Sequence, residues 1–102
     1  MAVYLINSYN IHDFEAFKKY LPLLKTLLDK YGAEVLASDL KAISLEGKAK
    51  TMNAIIRFPS KEAVFNCYND PEYTEIKKSR LKATSDCDMI VVNEFVPLPV
   101  YC

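Results

Sequence analysis

Arg80, Tyr68 and Tyr73 are the residues of this chain best suited to chemistry, grouped around an Asn69-Asp70-Pro71 interruption. At 100° per residue, Arg80 falls between Ile76 and Leu81, in the arc that also holds Tyr73. Thr74, Glu75, Lys78 and Lys82 occupy the opposite arc, although Lys77 shares the arc of Arg80. Arg80 therefore belongs to a buried side, and a buried guanidinium needs acceptors. Its planar fork suits a carboxylate or a developing enolate, which makes it a candidate anion anchor. The plainer reading is an internal salt bridge to Glu46, Asp86 or Glu94. Tyr68 and Tyr73 each offer a flat apolar body and a hydroxyl able to donate a proton, and core tyrosines with a hydrogen-bonded tip look the same in sequence. Glu46 ends a strand candidate and Glu94 shares a strand face with Ile90 and Val92. Either becomes a general base if burial raises its pKa. Arg80, Tyr68, Tyr73, Glu46 and Glu94 thus form the candidate catalytic set.

Other chemistries are poorly served. The single histidine, His12, precedes a helix N-cap, where such a residue is ordinarily solvated rather than a haem or metal ligand. Cys67, Cys87 and Cys102 are odd in number and widely spaced, so neither a disulfide framework nor a zinc site is implied, and a reduced cytoplasmic compartment is the default. With Gly32 and Gly47 as the only glycines, no Gly-rich phosphate loop can form. A formal net charge of zero argues against nucleic acid as a partner. No window approaches the roughly 20 apolar residues of a membrane span, and Met1-Ala2-Val3-Tyr4 carries no basic leader region. No cofactor and no metal are expected.

The elements that must position these residues are read from periodicity. Ala2 to Tyr9 is β-branched and aromatic, a strand. Asp13 is the N-cap of a helix whose apolar stripe is Phe14, Phe17, Leu21, Leu24, Leu28 and Tyr31, closed by Gly32. Pro22 inside it costs about 3 kcal/mol in a regular helix, which predicts a kink or break near Tyr20–Leu21. Glu34 to Ser38 and Ala42 to Leu45 are short strand candidates, Glu46-Gly47-Lys48 a turn, and Thr51 to Phe58 a strand. Ser60 caps a helix with a stripe of Val64, Cys67 and Tyr68, and Pro71 opens a second helix running to about Thr84. Asp88 to Val96 is the last strand. Residues 1–96 read as one α+β domain and 97–102 as a tail after Pro97 and Pro99.

The strands are apolar on both faces. Met52, Ala54, Ile56 and Phe58 oppose Asn53, Ile55 and Arg57, and Met89 and Val91 oppose Ile90 and Val92. A sheet with one wet face alternates more cleanly. Two helices cover only one face of four strands, so the other face is expected to pack on a second copy, sheet to sheet. A ligand is then expected between sheet and helices.

Phe58-Pro59-Ser60, Tyr68-Asn69-Asp70-Pro71-Glu72-Tyr73, Arg80 and Ser85-Asp86 resemble the domain of unknown function 1330 family. Val3-Tyr4-Leu5-Ile6, the internal Pro22 and Leu45-Glu46-Gly47 fit the same family. Asp39-Leu40 stands where the family usually has Gly-Gly, and Phe95 where it tends to have Gly. The resemblance implies a ferredoxin-like βαββαβ domain with a four-stranded antiparallel sheet, pairing as a dimeric α/β barrel. Relatives of that architecture include cofactor-free monooxygenases, muconolactone-type isomerases and haem-binding enzymes. It implies a small-molecule ligand in the sheet–helix cleft, handled by a cofactor-independent isomerase or oxygenase, or by a non-catalytic binding or stress-associated dimer.

Overall fold

The computed structural model describes residues 1–97, so the rest of the expected tail, with Pro99 and Cys102, lies outside the described residues. The chain runs β1 (Val3–Ile11), α1 (Phe14–Lys30), β2 (Glu34–Asp39), β3 (Met52–Phe58), α2 (Lys61–Tyr68), α3 (Pro71–Ala83) and β4 (Thr84–Asn93). The four strands form one antiparallel sheet in the order β2-β3-β1-β4. This is the ferredoxin-like arrangement, with its second helix divided.

Local chemistry sets the helix ends. Asp13, Ser60 and Asp70 each cap a helix by accepting a backbone N–H, from Ala16 at 3.1 Å, Ala63 at 3.1 Å and Glu72 at 2.8 Å. Pro71 follows its cap at the first helical position, where no N–H is needed. At the end of α1 the N–H of Ala33 reaches the carbonyl of Leu28 at 2.9 Å, and that of Gly32 reaches Asp29 at 3.2 Å. This double closure requires the left-handed backbone that Gly32 supplies at φ 69°.

Three expectations are corrected. First, α1 passes through Pro22 unbroken. Pro22 and Lys18 lie on its exposed side, where water can satisfy the freed carbonyl of Lys18. The buried stripe of α1 is also rotated: Tyr20 and Leu27 join Phe17 and Leu28 in the core, while Phe14 and Leu21 are 45% and 41% exposed. Second, Ala42–Leu45 is loop, because β2 already occupies the edge of β3 and leaves that segment no strand to pair with. The Oδ1 of Asp39 accepts the N–H of Lys41 at 2.7 Å as β2 ends. Third, β4 starts at Thr84 and ends at Asn93, shifted toward the N-terminus of the expected span.

Register assigns the two sheet faces. Val3, Leu5, Asn7 and Tyr9 sit beside Phe58, Ile56, Ala54 and Met52 on the helix side. Val3, Ile56 and Phe58 pack there with Leu27, Leu28, Val64, Cys67 and Tyr73, and Tyr9 and Met52 pack with Phe17, Tyr20 and Ala83. Each fully buried aliphatic or phenyl group contributes roughly 1.5–3 kcal/mol. On the other face Ile6 stands between Ile55 of β3 and Ile90 of β4, in one row across three strands. Ile55 and Ile90 remain exposed. Both edge strands are irregular: β2 carries an extra residue at Leu36, and β4 carries one beside Asp86, which adopts φ 54°.

Candidate functional site

The helices and the sheet border a half-open cavity of about 230 Å³. Leu5 and Asn7 of β1, Ile56 and Phe58 of β3, and Met89 and Val91 of β4 form its sheet wall. Tyr20, Leu24 and Leu28 of α1 and Tyr73 of α3 line the helix side, and α2 contributes Val64, Phe65, Cys67 and Tyr68. The half-exposed Phe65, Tyr68 and Val91 make its rim, whereas Asn7, Tyr20 and Tyr73 are buried. Among the described residues, none that lines it carries a formal charge.

Tyr68 and Tyr73, which flank the interruption, come together with ring centroids 5.4 Å apart. The Asp70 cap makes this meeting possible by turning the chain between α2 and α3. Lys77 bends over the outer tyrosine: its Nζ donates to the Tyr68 hydroxyl at 3.1 Å and sits 4.6 Å from the ring centre.

Arg80 is buried, but it stands behind the cavity and not in its wall. Its guanidinium lies 5.9 Å from the ring centre of Tyr9, and Nη1 donates to the Sγ of Cys87 at 3.1 Å. Cys87 faces it in the regular alternation of Met89 and Val91, on the helix side of β4. Among the described residues Arg80 has no carboxylate partner, and its Nε has no hydrogen-bond partner. Burial works against its charge, yet the hydroxyls of Tyr73 and Tyr20 and the Cys87 thiol outweigh it and hold its pKa above the ordinary value. Burial, the largest influence on Tyr9 and Tyr20, pushes both phenols far above the usual range, so they act as neutral hydroxyls.

Glu46 and Glu94 are not brought to this place. Glu46 lies in the exposed loop between β2 and β3. Glu94 follows β4 in the alternation of Ile90 and Val92, facing away from the helices, and its N–H bonds the Ala2 carbonyl at 3.3 Å. Asp86 turns to the sheet end, where its Oδ2 accepts from Asn10 at 3.3 Å. His12 is exposed, with Nε2 2.6 Å from the Ser85 hydroxyl. Among the described residues no group of three or more His, Cys, Asp or Glu is placed to hold a metal ion.

Asn7 and Tyr20 are cavity residues that the catalytic set omits. Asn7 had a readable signal: it is the polar member of the otherwise apolar series Val3, Leu5, Tyr9. Its Oδ1 is buried without a partner. Cys67, read as packing, is both packed and cavity-lining, and burial pushes its thiol up to about 11.

No helix among the described residues is long and apolar enough to cross a membrane. Among curated proteins no relative matches the chain. Among solved structures, the chain is similar to a protein of unknown function from Rhodopseudomonas palustris, with 20% identity, 94% of this chain and 84% of that one covered, and a TM-score of 0.81. It is also similar to a dimeric ferredoxin-like protein of unknown function from Jannaschia (7% identity, 92% and 100% covered, TM-score 0.74). A third is SnoaB, a cofactor-independent oxygenase from Streptomyces nogalater (9% identity, 96% and 97% covered, TM-score 0.68). These likenesses establish the fold. The sequence pattern of one family matches residues 2–95, and the chain accordingly belongs to DUF1330, a domain of unknown function.

Proposed function

We propose that this protein binds a small molecule in the cavity between its sheet and helices, and works as a homodimer joined through the open sheet faces. The observation that carries the reading is the half-open cavity of about 230 Å³ with no charged side chain in its wall, flanked by the Tyr68–Tyr73 pair. The row Ile55, Ile6, Ile90 supports the pairing, since an apolar row of this kind is stabilised by a matching surface. The Jannaschia neighbour, described as dimeric, is in keeping with it. Prodan (6-propionyl-2-dimethylaminonaphthalene), a neutral two-ring dye whose emission shifts to the blue in apolar surroundings, tests the reading. One dye per chain should bind, and Leu24→Trp should abolish binding by filling the cavity. Dye binding untouched by that variant would overturn it.

A second reading, a cofactor-independent isomerase or oxygenase, is favoured by the layer of Tyr20 and Tyr73 hydroxyls backed by Arg80. The guanidinium would strengthen these donors toward an oxygen gaining negative charge. The Streptomyces oxygenase shares the fold. This chemistry needs a proton acceptor that neither Glu46 nor Glu94 is placed to be, which is why binding is put first.

A further inference from the structure

We infer that the cavity selects an uncharged planar molecule of one or two rings bearing a hydroxyl that hydrogen-bonds the Asn7 carboxamide; this rests on the cavity being a binding site. Three observations converge. Size comes first: about 230 Å³ falls below the roughly 300–1,000 Å³ of pockets for drug-sized ligands, so one or two rings fill it. Charge comes second. No lining side chain among the described residues is ionised: Arg80 does not reach the wall, and Lys77 stands outside the rim, its ammonium donating to the Tyr68 hydroxyl. An anionic group lodged beside Asn7 would lose its hydration there with no ion pair in the wall to replace it. The guest is therefore neutral, in contrast to the carboxylate or enolate that Arg80 alone invites.

The third observation is Asn7. Its side chain borders the cavity, is 7% exposed, and holds an Oδ1 with no partner. A buried acceptor left unmade is costly, and such groups in a cavity wall mark where a partner belongs. Asn7 stands in the middle of β1, between Ala54 and Met89, and neither neighbouring side chain offers it an N–H or O–H. A half-turn of the carboxamide exchanges Oδ1 and Nδ2 at little torsional cost. A hydroxyl both donates and accepts, so it satisfies Asn7 in either orientation. The aromatic rings of Phe58, Tyr20, Tyr68 and Tyr73 supply flat faces for the remainder of the guest.

The test uses three probes with one ring system: 1-naphthol, naphthalene and 1-naphthoate, each displacing Prodan at pH 7. In the unaltered protein 1-naphthol should bind about fivefold to tenfold tighter than naphthalene, the gain of one net hydrogen bond. The naphthoate should bind at least about tenfold weaker than naphthalene. Asn7→Leu should keep naphthalene binding, erase the preference for 1-naphthol and melt at a higher temperature, because the orphaned acceptor is gone. Equal binding of naphthol and naphthalene, tightest binding of the naphthoate, or a naphthol preference surviving Asn7→Leu would each overturn the inference while leaving the cavity a binding site. Failure of the dye itself to bind would remove the binding site and this inference with it.

Discussion

The hydroxyl of Tyr31, at the end of α1, donates to the Oδ2 of Asp70, the N-cap of α3, at 2.5 Å. Lys30 donates to the same oxygen at 2.9 Å, and Asp70 Oδ1 takes the Glu72 N–H. One buried carboxylate thereby ties two helices and shapes the turn that sets Tyr68 against Tyr73. The Tyr31 hydrogen bond, then that from Lys30, hold the Asp70 carboxyl down at about 2. Its folded-state pKa lies below the unfolded value of 3.8, so the stabilisation is whole above pH 4 and is lost as pH falls through 2. Urea midpoints measured from pH 5 to pH 1.5 should fall through this window. Asp70→Asn keeps a capping side chain and should flatten that limb; an unchanged limb would exclude Asp70 as its source.

Arg80 carries a buried charge with no carboxylate beside it among the described residues. Arg80→Met, which keeps the packed stem and removes the charge, should leave stability within about 1 kcal/mol or raise it. Arg80→Ala, which also empties the space among the tyrosines, should cost about 2–4 kcal/mol. Denaturant unfolding of both variants is the check, and a Met variant as damaged as the Ala one would show that the charge itself holds the core.

Cys67 and Cys87 separate by reactivity. With its thiol pushed up to about 11, Cys67 is thiolate to about one part in a thousand at pH 8. In a Cys87→Ser, Cys102→Ser background, iodoacetamide should label Cys67 slowly, with a rate rising about tenfold per pH unit through pH 10. A cavity ligand should slow it further, since Cys67 lines the cavity. Levelling near pH 8 would place the thiol in water.

Ile90 is 55% exposed in the single chain. Ile90→Lys should therefore spare the fold yet put an ammonium into the proposed seam. Sedimentation velocity should find a dimer for the unaltered protein and a monomer for the variant at micromolar concentration, with matching circular dichroism. A dimer persisting in Ile90→Lys would move the interface elsewhere.

Much of this was readable in the residues. Alternation in β1 and β3, the Asp13 and Ser60 caps, Gly32 and the Asp70-Pro71 break located the strands of the sheet and the ends of the helices. Those signals are local. The position of Arg80 behind the wall depends on where α3 docks against β4 and Cys87, which a 100° count does not encode. Glu94 was placed on the face of Ile90 and Val92 correctly, but which face the helices cover is a tertiary fact. Pro22 misled for a related reason: propensity penalises it in isolation, and the exposed side of a docked helix tolerates it. Asn7 was visible as an oddity, and its meaning appeared once the cavity gave it a neighbour to lack.

The interrupted register at Leu36 and at Asp86 falls on the two outermost strands, one on each flank. A fibril grows by laying a fresh strand along such a flank, and a kinked ladder offers it no straight template. Lateral polymerisation is thereby discouraged on both sides at once, which leaves the broad surface as the place for the proposed pairing, where closure at two molecules would leave nothing further to add.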